Sequence, residues 1–182
     1  MNIAGSPSEA ARELLEMARA FELPRPQRDQ DFEGSTHDER EADYQSAFDV
    51  DGASLYEGFH RPGEGREGIF EDLMRFYAFF DLHLCETERD YPDHLVTELE
   101  FLSFLAAGEA EAAVQNRDPR PFQLAQRDFI SRHLGIWLPA LERRLETAGC
   151  ESTIYPGLAR ALRELVDERR DRLEQELQGD MS

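Results

Sequence analysis

His94 and Glu98 are four residues apart. On a helix that spacing puts an imidazole and a carboxylate on one face, where they can share a metal ion or hydrogen-bond to each other. No H-E-x-x-H or E-x-x-H pattern accompanies them. Asp81, His83 and Cys85 alternate and Glu86 follows, which are the donor types of a zinc site. Alternation aligns side chains on a strand, however, and these residues fall between two helical patterns. Zinc there would need a further donor and a defined geometry, and packing at a helix end is the other reading. Gly63-Glu64-Gly65-Arg66-Glu67-Gly68 matches G-x-G-x-x-G letter for letter. A dinucleotide fingerprint follows a buried strand and presents bare N–H groups to a pyrophosphate, whereas here Phe59-His60-Arg61-Pro62 precedes and two glutamates would repel the anion. The segment reads as a loop. There is no G-x-S-x-G, and neither Cys85 nor Cys150 sits in a Cys/His signature, so nucleophilic catalysis lacks its parts.

The elements that must carry these residues are helical throughout. Ser6-Pro7-Ser8-Glu9 combines a capping box with proline at the first helical position. Ala10, Leu14, Leu15, Met17, Ala18 and Phe21 then recur at helical spacing until Pro24. Residues 24–35 read as a flexible loop, and Thr36-His37-Asp38-Glu39 is a second capping box opening a short helix to about Phe48. After a turn at 49–52, Leu55-Tyr56-Glu57-Gly58-Phe59 leads into a second flexible loop around 60–68. Ile69, Leu73, Phe76, Tyr77 and Phe80 mark an amphipathic helix with an aromatic face.

Pro92 is expected to start the central helix, which should run to about Ala107, with a Pro-Asp-His corner at its head. Leu95, Leu99, Leu102 and Ala106 form one stripe, His94, Glu98, Phe101 and Leu105 the next. A helix so apolar around its circumference belongs at the centre of a bundle. A buried Glu98 or Glu100 would be costly unless paired or facing a groove. A further helix from about Arg120 carries Phe122 through Leu141 and should kink or divide at Pro139. The last, from about Thr153 to Leu177, carries Leu158, Leu162, Leu165 and Val166. No segment alternates strictly. The expectation is a single all-α domain, a helical bundle spanning residues 1–182.

Charge narrows the partners. Thirty-nine acids face twenty bases, all of them arginine, for a net charge of −19. Such a chain repels phosphate backbones and favours basic partners. Residues 81–100 hold seven acids (Asp81, Glu86, Glu88, Asp90, Asp93, Glu98, Glu100) against Arg89 alone, a local balance of 1 − 7 = −6. The C-terminal helix, with six acids and five arginines over 158–178, is nearly neutral. The acidity therefore gathers at the Pro-Asp-His corner as a docking rim. The first residues lack a basic n-region and an apolar segment, the longest apolar run is far short of the ~20 residues of a membrane span, and two distant cysteines form no framework. A cytoplasmic protein without membrane insertion is expected.

Three segments, in order, resemble one family. Tyr91-Pro92-Asp93-His94-Leu95 followed by Glu98-Leu99-Glu100-Phe101-Leu102 is similar to the P-D-H motif of the TorD/DmsD/NarJ family of redox-enzyme maturation chaperones. Leu55-Tyr56-Glu57-Gly58-Phe59-His60-Arg61-Pro62 resembles the branch formed by the chaperone (delta) subunits of type II enzymes of the dimethyl sulfoxide reductase family. Arg127-Asp128-Phe129-Ile130-Ser131-Arg132-His133-Leu134-Gly135-Ile136-Trp137-Leu138-Pro139 is similar to the family's later helix. The likeness covers about residues 54–139. The first helix departs from it: many relatives carry a tyrosine where Leu14, Met17 and Phe21 stand here.

The resemblance implies a TorD-like all-helical fold, no enzymatic activity and no bound cofactor. It implies binding of the apo catalytic subunit of a molybdenum-containing oxidoreductase, often through its twin-arginine signal peptide, until the molybdenum cofactor is inserted. Carried over by position, Pro92, Asp93 and His94 belong to the recognition region, with Tyr56 and Glu98 as further candidates. The residues themselves add Glu100 to an acidic rim for the arginines, and Phe101 with Phe104 and Leu105 to a groove for the apolar part. The chain would act as a monomer or a dimer. Two other readings stay open: a helical metal- or small-ligand-binding protein using His94, Glu98 and the 81–86 set, and a generic acidic adaptor for another basic protein.

Overall fold

The computed structural model describes residues 6–24, 37–48, 53–63, 65–84, 91–147, 152 and 154–179. Among them are eight helices: α1 (Pro7–Phe21), α2 (His37–Phe48), α3 (Glu57–His60), α4 (Arg66–Phe79), α5 (Leu95–Val114), α6 (Arg120–Arg132), α7 (Leu134–Thr147) and α8 (Tyr155–Gly179). The described residues contain no strand, only one isolated antiparallel bridge between Tyr56 and His94. Thr36, the 49–52 turn, most of the 24–35 loop, and Cys85 and Glu86 lie outside the described residues.

Helix α5 is the axis of the bundle. Leu95, Leu99, Leu102 and Ala106 are all fully buried, as their spacing requires, and Phe101 and Leu105 are buried beside them. Helix α1 lies along α5, where Ala10, Ala11 and Ala106 form a small-residue contact and the Ser103 hydroxyl donates to the Ala11 carbonyl at 2.7 Å. The Ser6 side chain caps α1 by accepting from the Glu9 N–H at 3.2 Å, with Pro7 at the first position. Small size also sets the α5–α6 approach: a Cβ at Gly108 would come within 2.3 Å of the Phe122 ring. Helix α8 closes the bundle with the stripe Tyr155, Ala159, Leu162, Val166, Leu173 and Leu177.

Four boundaries differ from the sequence expectation. Pro92 does not start α5; Tyr91 to Asp93 form a turn, and His94 is the cap, its Nδ1 accepting from the Val96 N–H at 3.3 Å. The helix runs on to Val114, because the alanines after Ala107 have high helix propensity and Ala112 is buried. Arg66 to Gly68, expected in a loop, form the first turn of α4, and Glu57 to His60 form a short helix of their own. The long later helix does divide, but at His133 rather than Pro139, which sits inside α7. His133 leaves helical geometry (φ −125°, ψ −96°). Gly135 then lies so close under the end of α6 that a Cβ there would meet the Ile130 carbonyl at 2.8 Å. No helix is long and apolar enough to cross a membrane, among the described residues.

Candidate functional site

The three motif segments meet at one end of the bundle. The bridge at Tyr56 and His94 zips two of them together: the Glu57 N–H donates to the Asp93 carbonyl at 2.9 Å and the Leu95 N–H to the Leu55 carbonyl at 2.8 Å. The Tyr56 and His94 rings meet edge to face at 4.9 Å. The third segment arrives through α7, whose Trp137 stacks on the His60 ring at 5.3 Å. His60 in turn donates from Nε2 to the Ser54 carbonyl at 2.7 Å, and burial lowers its pKa.

Beneath this junction three carboxylates, Glu57, Asp93 and Glu98, are fully buried. Each has a different partner. Glu57 accepts from Arg61 Nη1 one helical turn on, and both its oxygens lie 3.0–3.2 Å from His133 Nδ1. The other His133 nitrogen is 3.2 Å from Asp72 of α4, so one imidazole ties α3, α4 and the α6–α7 break together. This tether explains why the chain breaks at His133. Asp93 accepts the Gly58 N–H (3.2 Å) and Arg66 Nε (3.3 Å) on Oδ2, and Arg66 Nη2 (3.4 Å) on Oδ1. Glu98 accepts the Trp137 indole N–H on Oε2 at 3.1 Å, while its Oε1 is buried without a hydrogen-bond partner among the described residues. Burial pushes the Glu98 pKa well up; the charge of Glu57 adds to this, the Trp137 bond opposes it, Asp93 adds and Arg61 opposes. Tyr77 donates to the Pro92 carbonyl at 2.8 Å, and its pKa is raised by burial and then by Glu98, Glu57 and Asp93.

Above the carboxylates the surface is aromatic and cationic. The Arg66 guanidinium carbon lies 5.0 Å from the Phe70 ring centroid, 5.2 Å from Tyr91, 5.6 Å from Tyr56 and 5.7 Å from Phe59. Phe59 (67% exposed) and Tyr91 (53% exposed) form the outer rim. An open groove of about 620 Å³ runs between α4 and α6, floored by Phe76, Phe80 and Leu124 and walled by the exposed Phe79. Its edge carries Asp72 and Arg132, which pair with each other and join the groove to the His133 tether.

Of the residues expected to bind a partner, the structure gathers Tyr56, Pro92, Asp93, His94 and Glu98, though Pro92, Asp93 and Glu98 are buried and only Tyr56 and His94 are partly open. Glu100 is exposed. Phe101 is a core residue packed against Phe76, Tyr77 and Phe129, and Leu105 is buried too. The expected groove of Phe101, Phe104 and Leu105 is therefore corrected: only Phe104 reaches the surface, and the apolar groove lies on α4 and α6 instead. Of the seven acids expected in a rim, Asp93 and Glu98 are interior and Asp81 and Glu100 exposed, while Glu86, Glu88 and Asp90 lie outside the described residues. Glu57, Arg61, Arg66 and His133 were not expected. The i, i+4 pair Glu57/Arg61 was a visible signal, and so was Trp137, whose buried N–H requires an acceptor. Among the described residues no group of three or more His, Cys, Asp or Glu is placed to hold a metal ion.

Of the three buried acids only Asp93 lies beneath the open aromatic rings, where it holds Arg66. The chain belongs to the nitrate reductase delta subunit family, whose model matches residues 4–143. It is 50% identical over 142 residues to the selenate reductase assembly chaperone protein of Thauera selenatis, covering 76% of this chain and 72% of that one. It is 50% identical over 137 residues to the chlorate reductase assembly chaperone protein of Ideonella dechloratans (73% and 69% covered). The dimethyl sulfide dehydrogenase assembly chaperone protein of Rhodovulum sulfidophilum is 34% identical over 126 residues, covering 64% of this chain and 50% of that one.

Proposed function

We propose that this chain, an assembly chaperone and not an enzyme, holds the immature catalytic subunit of a molybdenum-containing oxidoreductase in the cytoplasm through an arginine-bearing apolar segment such as a twin-arginine signal peptide. The observation that carries this is Asp93 of the P-D-H motif, which lies buried beneath an aromatic site already shaped around a guanidinium. Planar, forked donors suit carboxylates and aromatic faces better than an ammonium does. Asp72 at the near end of the groove lies six residues beyond Arg66, roughly 9 Å along α4 at 1.5 Å per residue. A client segment with arginines at the cage and an apolar helix in the groove would match both surfaces. Exposed ion pairs give only ~0.2–1 kcal/mol each. Apolar burial in the groove supplies most of the affinity, and the net charge of −19 speeds the encounter with a basic segment.

The test is direct: titrate the chain with a twin-arginine signal peptide from a molybdoenzyme of the selenate or chlorate reductase type, at low and moderate salt, and co-express it with the matching apo subunit. Saturable peptide binding that weakens when both arginines become lysine is expected. No binding to peptide or subunit at either salt would refute the proposal.

A further inference from the structure

We propose that Arg66 is an internal stand-in for a client arginine, so that the cage of Tyr56, Phe59, Phe70 and Tyr91 over Asp93 is a guanidinium-binding site plugged by the chain's own side chain until a client displaces it. The client half of this inference rests on the function proposed above; the cage and its plug do not.

Five observations support a plug rather than a structural ion pair. Arg66 is the first residue of α4, where a cation opposes the helix dipole and an acid is preferred, so its position does not serve the helix. Its side chain is 44% exposed although its carboxylate partner is fully buried, so the cation reaches in from solvent and can leave the same way. Asp93 does not depend on Arg66 alone, because the Gly58 N–H also bonds Oδ2, and that contact keeps the acceptor in place when the guanidinium departs. The seat is shaped for an arginine stem too: Gly58 faces it so closely that a Cβ there would come within 3.0 Å of Arg66 Cγ and 3.1 Å of Asp93 Oδ2. The outer rings, Phe59 and Tyr91, are among the most exposed large apolar side chains of the described residues, and they form the mouth through which an exchange would pass. Four aromatic faces around one guanidinium make a cation–π site, and an arginine delivered by a client would find the same rings and the same carboxylate that Arg66 leaves.

The experiment uses the full chain and N-acetyl-arginine amide as probe, with N-acetyl-lysine amide as control, read by calorimetry. Arg66→Gln should bind the arginine probe saturably and at least about ten-fold more tightly than the unmodified chain does, with the lysine probe markedly weaker. Adding Asp93→Asn to Arg66→Gln should abolish the gain. Equal, non-saturable titrations of both chains, or equal binding of both probes, would overturn the proposal. Should Arg66→Gln fail to fold, the unmodified chain still decides. The side-chain Nε–H resonance of Arg66 should move toward its solvent-exposed position as the arginine probe is raised, and a resonance that stays put overturns the plug. A twin-arginine peptide then separates the two proposals. If the cage takes the arginine probe but no signal peptide binds, the plug stands and the client assignment fails. If the peptide binds both chains alike and the probe binds neither, the chaperone function stands and the plug fails.

Discussion

Two buried ionic clusters hold this bundle, and they are built to opposite plans. At the far end, Glu109 of α5 accepts from Arg169 of α8 and from Gln126 of α6 (2.7 Å), and Arg169 donates to the Gln126 side chain at 3.0 Å. One acid meets one arginine, all three side chains are buried and three helices are pinned together, although Arg169 Nη1 is left without a hydrogen-bond partner among the described residues. At the motif end, three buried acids share the enclosed Arg61, the half-exposed Arg66, His133 and an indole N–H, and one oxygen of Glu98 has no partner among the described residues. The first arrangement is a clamp. The second sets three buried acids against two arginines, favours the neutral form of Glu98 through its burial, and leaves one of its arginines, Arg66, half-exposed at the surface. A buried ion pair is weak evidence for stability, but removing one partner leaves a costly uncompensated charge.

The largest effect should come from cutting the clamp. Glu109→Ala leaves Arg169 buried and uncompensated, which costs about 3–5 kcal/mol. Urea unfolding should show the unfolding free energy falling by that amount, with a lower midpoint, while the fraction that stays folded binds client peptide as the unmodified chain does. Loss of peptide affinity in the folded fraction would erase the distinction between the two clusters.

Asp93→Asn should cost less stability and far more function. It keeps an acceptor for the Gly58 N–H but discards the charge beneath Arg66. A charge-assisted bond is worth about 1.5–3 kcal/mol, partly offset here because Arg66 can turn to solvent. Peptide affinity should drop by about ten-fold or more, the equivalent of ~1.4 kcal/mol, as measured by calorimetry beside the unfolding curve. Alanine at the same site would confound the two readouts by leaving the Gly58 N–H without its acceptor. Normal binding by the Asp93→Asn chain would make the motif end a second clamp.

Only the motif end of this contrast was legible before the fold; nothing in the sequence singled out Glu109, Gln126 or Arg169. The leucine stripe of α5 identified the central helix, because four fully buried positions at helical spacing allow no other placement. The three motif segments were recognised in order, and their convergence follows from the Tyr56–His94 bridge, which periodicity alone does not encode. The groove was misplaced because Phe101 and Phe104 are alike as letters; only the packing of Phe76, Tyr77 and Phe129 around one of them decides which is core. Proline at 139 marked a break that falls six residues earlier, since a side chain tethered by Glu57 and Asp72 outweighs a proline that the helix can absorb. Local acidity likewise suggested a rim, but composition counts charges without saying which face inward. Neither Arg66 nor Arg61 stood out among twenty arginines.

The subtlest effect separates the clusters by sign. Glu98 has a raised pKa because burial, and then the charge of Glu57, disfavours its ionised form. The folded chain therefore retains a proton that the unfolded chain loses near the ordinary value of 4.5. Stability contributed by that proton is complete below the ordinary value. It is lost as pH rises from there through the raised folded value, at up to ~1.4 kcal/mol per pH unit. Glu98→Gln keeps an acceptor for the Trp137 indole and has no proton to surrender, so the variant should show a shallower fall between pH 5 and 8 and exceed the unmodified chain at pH 8. Glu109→Gln should do the reverse at pH 8, losing a charge-assisted bond to Arg169 worth about 1.5–3 kcal/mol. Urea midpoints of the three chains at pH 5 and 8 measure both. If Glu98→Gln leaves the slope unchanged, the folded chain holds no extra proton on this carboxyl, and burial does not set the two clusters apart in their response to pH.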